Sequence, residues 1–209
     1  MHPPFTTSRV VNGGLADVMG EPLALLDRWL FEAREAGAPA PTAMSLATAG
    51  ASAQPSARVV SLKRIDDDGL VFTTALWTRK AEELRVNSRF AAVFHWPALG
   101  RQVRVEGRAE IAERALAEEL FAERPRSHQL QAHVSRQGEE IESLDRLRDR
   151  LEALRAELGE GPVPCPEDWG AVRLRPDRIE FWQEGEDRLH SRRLFEASAE
   201  GWRQSLLAP

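Results

Sequence analysis

A short C-terminal stretch, EFWQEGEDRLHSRRLFEAS, concentrates cationic side chains in a chain that is acidic overall. The chain carries a formal net charge of −5, yet four such residues fall within six positions: Arg188, His190, Arg192 and Arg193. If the stretch is a strand, alternate spacing places Arg188, His190 and Arg192 on one face. A row of cations close to Trp182 is suited to an anionic ligand with a planar ring.

Other Lys and Arg residues also stand in or beside strand-like segments, where such side chains are rarely buried without a partner. Any one of them alone is most simply a solvated or ion-paired residue. Five such clusters favour a cleft lined for an anion, because Arg forks and Lys charges both suit phosphate groups. The five segments are ARVVSLKR, TTALWTRKAEEL, GRQVRVEG, ERPRSHQ and RLHSRR.

Several other kinds of site are not indicated by the sequence. The chain has neither a glycine-rich phosphate loop nor a nucleophile elbow of standard pattern. Its histidines stand at positions 2, 95, 128, 133 and 190 without zinc-ligand spacing, so we predict no metal site. The sequence pI near 5.6 argues against broad binding to nucleic acid or to anionic membranes.

The bulk features favour one cytoplasmic domain. The single cysteine, Cys165, excludes an intramolecular disulfide and favours a reducing, cytoplasmic location. No apolar run is long enough to span a bilayer, and the N-terminus lacks the pattern of a signal peptide. We expect residues 1–20 to form a flexible arm and residues 21–209 to form one domain with a single core.

Hydrophobic periodicity predicts the elements that position the candidate residues. A helix is predicted in EPLALLDRWLFEAREAG and another in TRKAEELRVN. Strands are predicted in AMSLATAG, ARVVSLKRI, LVFTTA, RFAAVFHWP and RQVRVEGRAEI. The middle of the chain is predicted to be helical, with Pro125 at the first position of one helix and a leucine stripe from Leu144 to Leu158 in the last.

Four further strands are predicted near the C-terminus, in AVRLRP, RIEFWQ, RLHSRRLFEA and WRQSLL. Strands that precede and follow a helical segment, all joining one sheet, indicate an α+β protein built on an antiparallel barrel.

Six segments of the chain resemble, in order, the motifs of the pyridoxamine 5′-phosphate oxidase family. They are SARVVSLKRIDDDGLVFTT, TRKAEEL, GRQVRVEG, ERPRSHQLQAHVSRQ, EFWQEGEDRLH and the terminal LAP. The resemblance extends from Glu21 to Pro209. It implies a homodimeric, antiparallel split β-barrel with flanking helices, which binds FMN noncovalently in a cleft shared by two subunits. It also implies oxidation of pyridoxamine or pyridoxine 5′-phosphate to pyridoxal 5′-phosphate by O2, with release of hydrogen peroxide.

The resemblance further implies an FMN site. Arg58 and Lys80 correspond to ligands of the FMN phosphate, while Gln137, Trp182 and Arg192 correspond to contacts that come from the other subunit. The implied FMN-binding residues are Arg58, Val59, Val60, Ser61, Leu62, Lys63, Thr73, Thr74, Arg79, Lys80, Gln102, Gln137, Gly138, Trp182 and Arg192.

A substrate site is implied in the same way. Arg188 and His190 are the implied catalytic residues, which hold the substrate pyridine over the flavin. Arg188 is expected to stabilise the pyridine and its phenolic oxygen, and His190 to orient ring or exocyclic groups. The implied substrate-binding residues are Lys63, Leu120, Arg124, His128, Arg188 and His190.

The chain departs from the family pattern mainly around the substrate. Leu120 stands where the family usually has Tyr, His128 where it has Ser, and Ala40 where it has Asp. Gly138 replaces a Ser, and the Tyr of the N-terminal lid is missing, since the chain contains no Tyr. Two alternatives therefore stay open. One is a related FMN-dependent oxidase of the phenazine-biosynthesis type, acting on another small aromatic. The other is a non-catalytic FMN or pyridoxal-phosphate binding protein.

Overall fold

Nine strands and five helices make up residues 21–209, the part of the chain that this computed structural model describes. The predicted flexible arm at residues 1–20 lies outside these residues. The strands are β1 (Ala43–Ala49), β2 (Pro55–Ser61), β3 (Arg64–Asp66), β4 (Gly69–Ala75), β5 (Arg89–Trp96), β6 (Arg101–Ile111), β7 (Trp169–Gln183), β8 (Ser191–Ser198) and β9 (Gly201–Leu206). The helices are α1 (Pro22–Glu35), α2 (Arg79–Val86), α3 (Arg114–Ala122), α4 (Arg126–Val134) and α5 (Leu144–Leu158).

The strands form one antiparallel sheet that curls into a half-barrel. Its order is β2-β1-β5-β6-β7-β4-β3, and β8 and β9 continue outward from β7. Strand β7 organises the sheet, because its first half pairs with β4, its second half with β8, and its other edge with β6. The α+β class and the antiparallel barrel architecture predicted from the sequence are confirmed.

The main hydrophobic core lies between this sheet and helix α1. Leu26 and Trp29 are buried on the same side of α1 and belong to one cluster with Phe72, Phe94 and Phe181 of the sheet. The rings of Trp29 and Phe181 meet edge to face, with centroids 5.1 Å apart. Burial of each large apolar side chain contributes about 1.5–3 kcal/mol, which holds the strands that carry the candidate site in a fixed arrangement.

Two strand boundaries differ from the prediction. The segment ARVVSLKRI is not one strand, because the Leu62 N–H donates to Thr42 while the Lys63 N–H donates to Val71. The chain thus leaves the β1 edge and joins the β4 edge at this point. Conversely, AVRLRP and RIEFWQ form the single strand β7. Pro176, which lacks an N–H, is accommodated at a register shift opposite Gly107.

The helical middle of the chain is confirmed, with one small shift. Pro125 precedes helix α4 as its cap residue, so that the first helical residue is Arg126. In the leucine stripe of α5, Leu151, Leu154 and Leu158 are half-buried and pack against a satellite core that includes Phe121, whereas Leu144 is exposed. No helix between residues 21 and 209 is both long and apolar enough to cross a membrane.

Candidate functional site

Cationic side chains converge where helix α2 begins beside strands β1 and β2. Arg58 on β2 donates from Nη1 to the Thr48 hydroxyl at 2.6 Å and from Nη2 to the Ser56 hydroxyl. The Lys80 side chain, on the first turn of α2, is only 7% exposed. The first N–H groups of a helix lack intrahelical partners, so this corner offers backbone and side-chain donors to an anion.

The surroundings of Lys80 destabilise the positive charge of its ammonium group. Burial and then the nearby charge of Arg58 lower the pKa of the Lys80 ammonium to about 8. An anion placed between the two side chains would offset both effects, because its attraction for the ammonium opposes the cost of burial and the repulsion from Arg58. The arrangement therefore fits a phosphate group.

A buried carboxylate that the sequence analysis missed stands behind these cations. Glu83 is 8% exposed and accepts hydrogen bonds from the hydroxyls of Thr48 at 2.5 Å and Ser56 at 2.6 Å. It also accepts from Arg79 Nε at 2.7 Å and forms an ion pair with Arg58 at 3.4 Å. The signal available in the sequence was the i,i+4 spacing of Arg79 and Glu83 in TRKAEEL.

The two predicted threonines of β4 differ in position. Thr74 is buried, and its hydroxyl lies 3.3 Å from that of Thr78, the residue that precedes α2. Thr73 is half-buried, and because side chains alternate along a strand it points to the opposite face. Thr74 is thus the one of the pair that adjoins the start of α2.

Gln137 belongs to this corner, which corrects an expectation. The resemblance implied that Gln137 reaches the cofactor from the other subunit, but its Oε1 lies 3.4 Å from Lys80 Nζ of the same chain. The segment after α4 is held there because the Arg136 guanidinium lies 4.8 Å from the centroid of the Trp77 ring. Gly138 follows with φ +98°, a backbone conformation that favours glycine over the usual Ser.

A second group of predicted residues forms a row across three neighbouring strands. Gln102 of β6 pairs with Trp182 of β7, which pairs in turn with Arg192 of β8. Residues directly opposite each other in an antiparallel sheet share a face, so amide, indole and guanidinium lie side by side. Glu180 positions Arg192, since its Oε1 accepts from Arg192 Nε at 2.7 Å.

The prediction that Arg188, His190 and Arg192 share one face of a strand is wrong. Residues 186–188 form a short 3-10 turn in which Asp187 and Arg188 have φ of +51° and +63°, and β8 begins only at Ser191. Two successive left-handed residues cost about 1–3 kcal/mol each and occur mostly where a site requires them. The turn leaves Arg188 exposed at the end of the row.

His190 is held against the row by two contacts. Its ring centroid lies 4.7 Å from that of Trp182, and its Nδ1 accepts a hydrogen bond from the Gly185 N–H at 3.2 Å. A neutral imidazole that accepts at Nδ1 carries its proton on Nε2. His190 therefore presents an N–H donor away from the turn.

A second anion-suited place involves Lys63 and Arg124. The Arg124 guanidinium lies 4.2 Å from the centroid of the Trp169 ring, and its Nη1 is buried without a hydrogen-bond partner among the described residues. Burial lowers the pKa of Arg124 to about 10. The pKa of Lys63, whose side chain keeps some exposure, is lowered by desolvation and then by the charge of Arg124. Two cations that repel each other and an unpaired N–H donor suit an anionic group.

The other two predicted substrate residues are placed differently. Leu120 is 2% exposed and packs with Val71, Leu116 and Ala171, because the apolar side of α3 faces β4 and β7. The expected contact between Leu120 and a substrate is therefore corrected to a core contact. His128 is exposed in the first turn of α4.

Within one chain, the predicted FMN residues fall into two groups that lie towards opposite ends of β7: those at the α2 corner and those of the row on β6, β7 and β8. Thr73 pairs with Ala171 near the start of β7, whereas Gln102 and Arg192 pair with Trp182 near its end. Trp182 lies eleven positions after Ala171 in β7, a path along the strand of about 36 Å at about 3.3 Å per residue. The described residues contain no group of three or more His, Cys, Asp or Glu side chains that could hold a metal ion.

Comparison with known proteins shows the family to which the chain belongs. A family model described as pyridoxamine 5′-phosphate oxidase matches residues 30–157. A second model, described as the pyridoxine 5′-phosphate oxidase C-terminal dimerisation region, matches residues 169–209. The pyridoxine/pyridoxamine 5′-phosphate oxidase of Rubrobacter xylanophilus is 46% identical over 189 residues, which cover 90% of this chain and 87% of the relative. That of Shewanella sediminis is 40% identical over 200 residues, which cover 94% of each chain.

Two solved structures share the fold. PhzG from Burkholderia lata, in complex with tetrahydrophenazine-1-carboxylic acid, superposes with a TM-score of 0.87 at 32% identity and covers 92% of this chain and 95% of its own. A pyridoxamine 5′-phosphate oxidase-related, FMN binding protein from Nostoc punctiforme reaches 0.71 at 15% identity, covering 94% and 99%, which shows the fold alone. From its matched models, its relatives and its split barrel, the chain belongs to the pyridoxamine 5′-phosphate oxidase family of oxidoreductases.

Proposed function

We propose that the protein is an FMN-dependent oxidase that converts pyridoxamine or pyridoxine 5′-phosphate to pyridoxal 5′-phosphate with O2, releasing hydrogen peroxide; the amine substrate also consumes water and releases ammonia. The observation that carries the proposal is the presence of two separate anion-suited places in one chain. One lies at Arg58 and Lys80 and suits the phosphate of the cofactor. The other lies at Lys63 and Arg124 and suits the phosphate of the substrate.

The corner at α2 fits FMN in charge as well as in donors. Arg58, Arg79 and Lys80 with the single carboxylate of Glu83 leave a net charge of +2. A phosphate monoester has a second pKa of about 6 and is a dianion at neutral pH. When bound, the flavin supplies the redox chemistry by accepting a hydride from the substrate carbon that bears the amine or alcohol.

The residues of the turn and the row orient the substrate. The Nε2–H of His190 donates to ring or exocyclic groups, and the Arg188 guanidinium stabilises the phenolic oxygen of the pyridine. Trp182 supports the His190 ring from one side, and Gly185 keeps its proton on Nε2. A two-fold partner supplies the cations for the far end of the substrate, the partner's Lys63 and the partner's Arg124, because Arg124 lies against Trp169 at the start of β7 while His190 lies against Trp182 near its end.

The proposed active form is a homodimer in which each FMN contacts both chains. The separation of Trp182 from the α2 corner along β7 supports this, because a two-fold partner can bring its own Gln102, Trp182 and Arg192 to that corner. The matched C-terminal dimerisation region includes Trp182 and Arg192. A cytoplasmic location, the use of O2 and the lack of nucleic-acid or membrane partners stay predictions from the sequence.

Anaerobic reduction tests the proposed reaction. The purified protein is expected to show a flavin spectrum that bleaches when pyridoxamine 5′-phosphate is added without O2 and returns when air is admitted. A wild type that neither contains nor takes up FMN contradicts the proposal. Bound FMN that bleaches only with a reduced phenazine carboxylic acid supports the phenazine-type alternative, and FMN that bleaches with neither supports a binding protein.

The affinity for FMN is expected to fall above pH 8. Lys80, with a pKa of about 8, is protonated below that pH in both the free and the bound protein, so its titration does not change the Kd at lower pH. Above it the free protein must take up a proton to bind the phosphate, which raises the Kd by up to about tenfold per pH unit. Titration of the apoprotein by flavin fluorescence at pH 7.5 and 9 measures the effect.

The matched control for this pH effect is Lys80→Arg, which keeps its charge over the whole range. Its Kd for FMN is expected to be the same at both pH values. Equal wild-type affinities at pH 7.5 and 9 would contradict a lowered pKa of Lys80 in the free protein.

Gly185→Ala is expected to lower kcat/KM for pyridoxamine 5′-phosphate by about 10²-fold, the effect of a misplacement of about 1 Å. A Cβ on Gly185 would lie 2.2 Å from the Leu189 carbonyl oxygen, so the turn that carries Arg188 and His190 must move. The affinity for FMN is expected to change by less than about threefold, since the α2 corner is untouched.

Gly50→Ala is the control for the added methyl group. Its Cβ would meet Glu83 Cγ at 3.5 Å, an ordinary contact, so kcat/KM is expected to be kept. Steady-state kinetics with hydrogen peroxide detection compares the two variants. Equal kcat/KM values for both would contradict a role for the turn in orienting the substrate.

A further inference from the structure

Glu83 carries a negative charge at a place where a site for a phosphate would be expected to carry only positive charges. It is a buried carboxylate next to the corner that binds a phosphate in the proposed function, on which this inference rests. By charge alone it repels a dianion, so that its removal should strengthen the binding of FMN. The contacts of Glu83 suggest the opposite outcome.

Each oxygen of the Glu83 carboxylate is engaged by a different part of the corner. Oε1 accepts from Arg79 Nε at 2.7 Å. Oε2 accepts from the hydroxyls of Thr48 and Ser56 and lies 3.4 Å from Arg58 Nη2. One carboxylate thus connects β1, β2 and the first turn of α2.

The charge of Glu83 is maintained under all ordinary conditions. Burial alone would raise the pKa of this carboxyl, but hydrogen bonds from Ser56, Thr48 and Arg79, together with the charge of Arg79, lower it to about 2. The carboxylate is therefore a permanent acceptor, and Arg58 cannot turn away from it without leaving a buried charge less well paired.

We infer that Glu83 is a positioning residue for the cofactor phosphate: it holds Arg58 and Arg79 in a common orientation before FMN binds. A long, unrestrained Arg side chain loses rotamer freedom when it is ordered, and this loss weakens binding. At this corner Arg58 is already ordered by Thr48, Ser56 and Glu83, so the phosphate meets a guanidinium whose direction is set.

The direction of the change in FMN affinity distinguishes positioning from simple repulsion. Glu83→Ala is expected to raise the Kd of the apoprotein for FMN by at least about tenfold, the equivalent of one lost charge-assisted hydrogen bond. Glu83→Gln keeps one oxygen acceptor and is expected to raise the Kd by a smaller factor. Glu82→Ala removes the same charge from the exposed side of α2 and is expected to leave the Kd unchanged or slightly lower.

A double-mutant cycle excludes a merely structural effect. In an Arg58→Ala, Arg79→Ala background, Glu83 has lost both side chains that it positions, so adding Glu83→Ala is expected to weaken FMN binding no further or to strengthen it. A general loss of folding would instead weaken binding in both backgrounds. If Glu83→Ala does not fold, Glu83→Gln takes its place in the same double-mutant cycle.

Two outcomes overturn the inference. The first is wild-type or tighter FMN binding by Glu83→Ala, or by Glu83→Gln where the Ala variant does not fold. The second is an equal loss of affinity in the presence and in the absence of the two arginines, Arg58 and Arg79. Failure of the wild type to bind FMN is a separate result, because it contradicts the proposed function rather than the role of Glu83.

Discussion

Arg58→Ala combined with Lys80→Ala is expected to yield a colourless protein after purification. The double variant loses two charge-assisted hydrogen bonds to the FMN phosphate, each worth about 1.5–3 kcal/mol. Together they correspond to a rise of about 10² to 10⁴-fold in Kd. Flavin absorbance of the purified protein and fluorescence titration of the apoprotein measure the change.

A control for this double variant must remove the same net charge elsewhere. Arg89→Ala with Arg203→Ala fits, since Arg89 and Arg203 form surface ion pairs with Asp177 and Glu196. Exposed pairs contribute about 0–1 kcal/mol, so the control is expected to keep both fold and flavin. Retention of FMN by the Arg58, Lys80 variant at wild-type affinity would mean that the phosphate binds in another place.

Activity is expected to return when a Lys80→Ala chain is mixed with an Arg192→Ala chain. Each variant alone forms dimers with two damaged sites. A mixed dimer has both changes in one site and none in the other, since Lys80 and Arg192 of one chain serve different sites. Random exchange of equal amounts gives half mixed dimers, so about a quarter of the wild-type activity is expected.

The control for this exchange combines two changes in the same half-site. In a mixture of Lys80→Ala with Arg58→Ala, every site of every dimer carries one change, and no activity is expected to return. Oxidase assays after dissociation and reassociation of the mixed chains compare the two mixtures. Recovery in both mixtures, or in neither, contradicts a site shared between subunits.

The sequence predicts the strands well wherever the alternation of side chains is uninterrupted. The segment RFAAVFHWP forms β5, with Phe90, Ala92, Phe94 and Trp96 all buried on one side. The alternation of side chains predicts the wrong position for Arg188. The spacing of residues along the chain does not reveal that Asp187 and Arg188 both adopt a positive φ. Residue types alone therefore indicate this segment as a candidate site but do not predict the turn that shapes it.

The site is predicted less completely than the sheet, and for a physical reason. Motif matching assigns Leu120 a position in the family pattern, but the direction of its side chain depends on how α3 packs on β4 and β7. Glu83 was missed because three of its partners, Thr48, Ser56 and Arg58, lie on strands 25 to 35 residues earlier in the chain. Contacts of that kind arise only when the sheet and α2 have come together.

The length of β7 has a consequence for the proposed dimer. Because one continuous strand carries Trp182 at one end and supports the α2 corner at the other, each cofactor is enclosed only when two chains meet. Association of the subunits and loading of the flavin are then thermodynamically linked. Saturating FMN stabilises the dimer against dilution, and a dilute solution releases FMN as it dissociates, so the apparent affinity depends on the protein concentration.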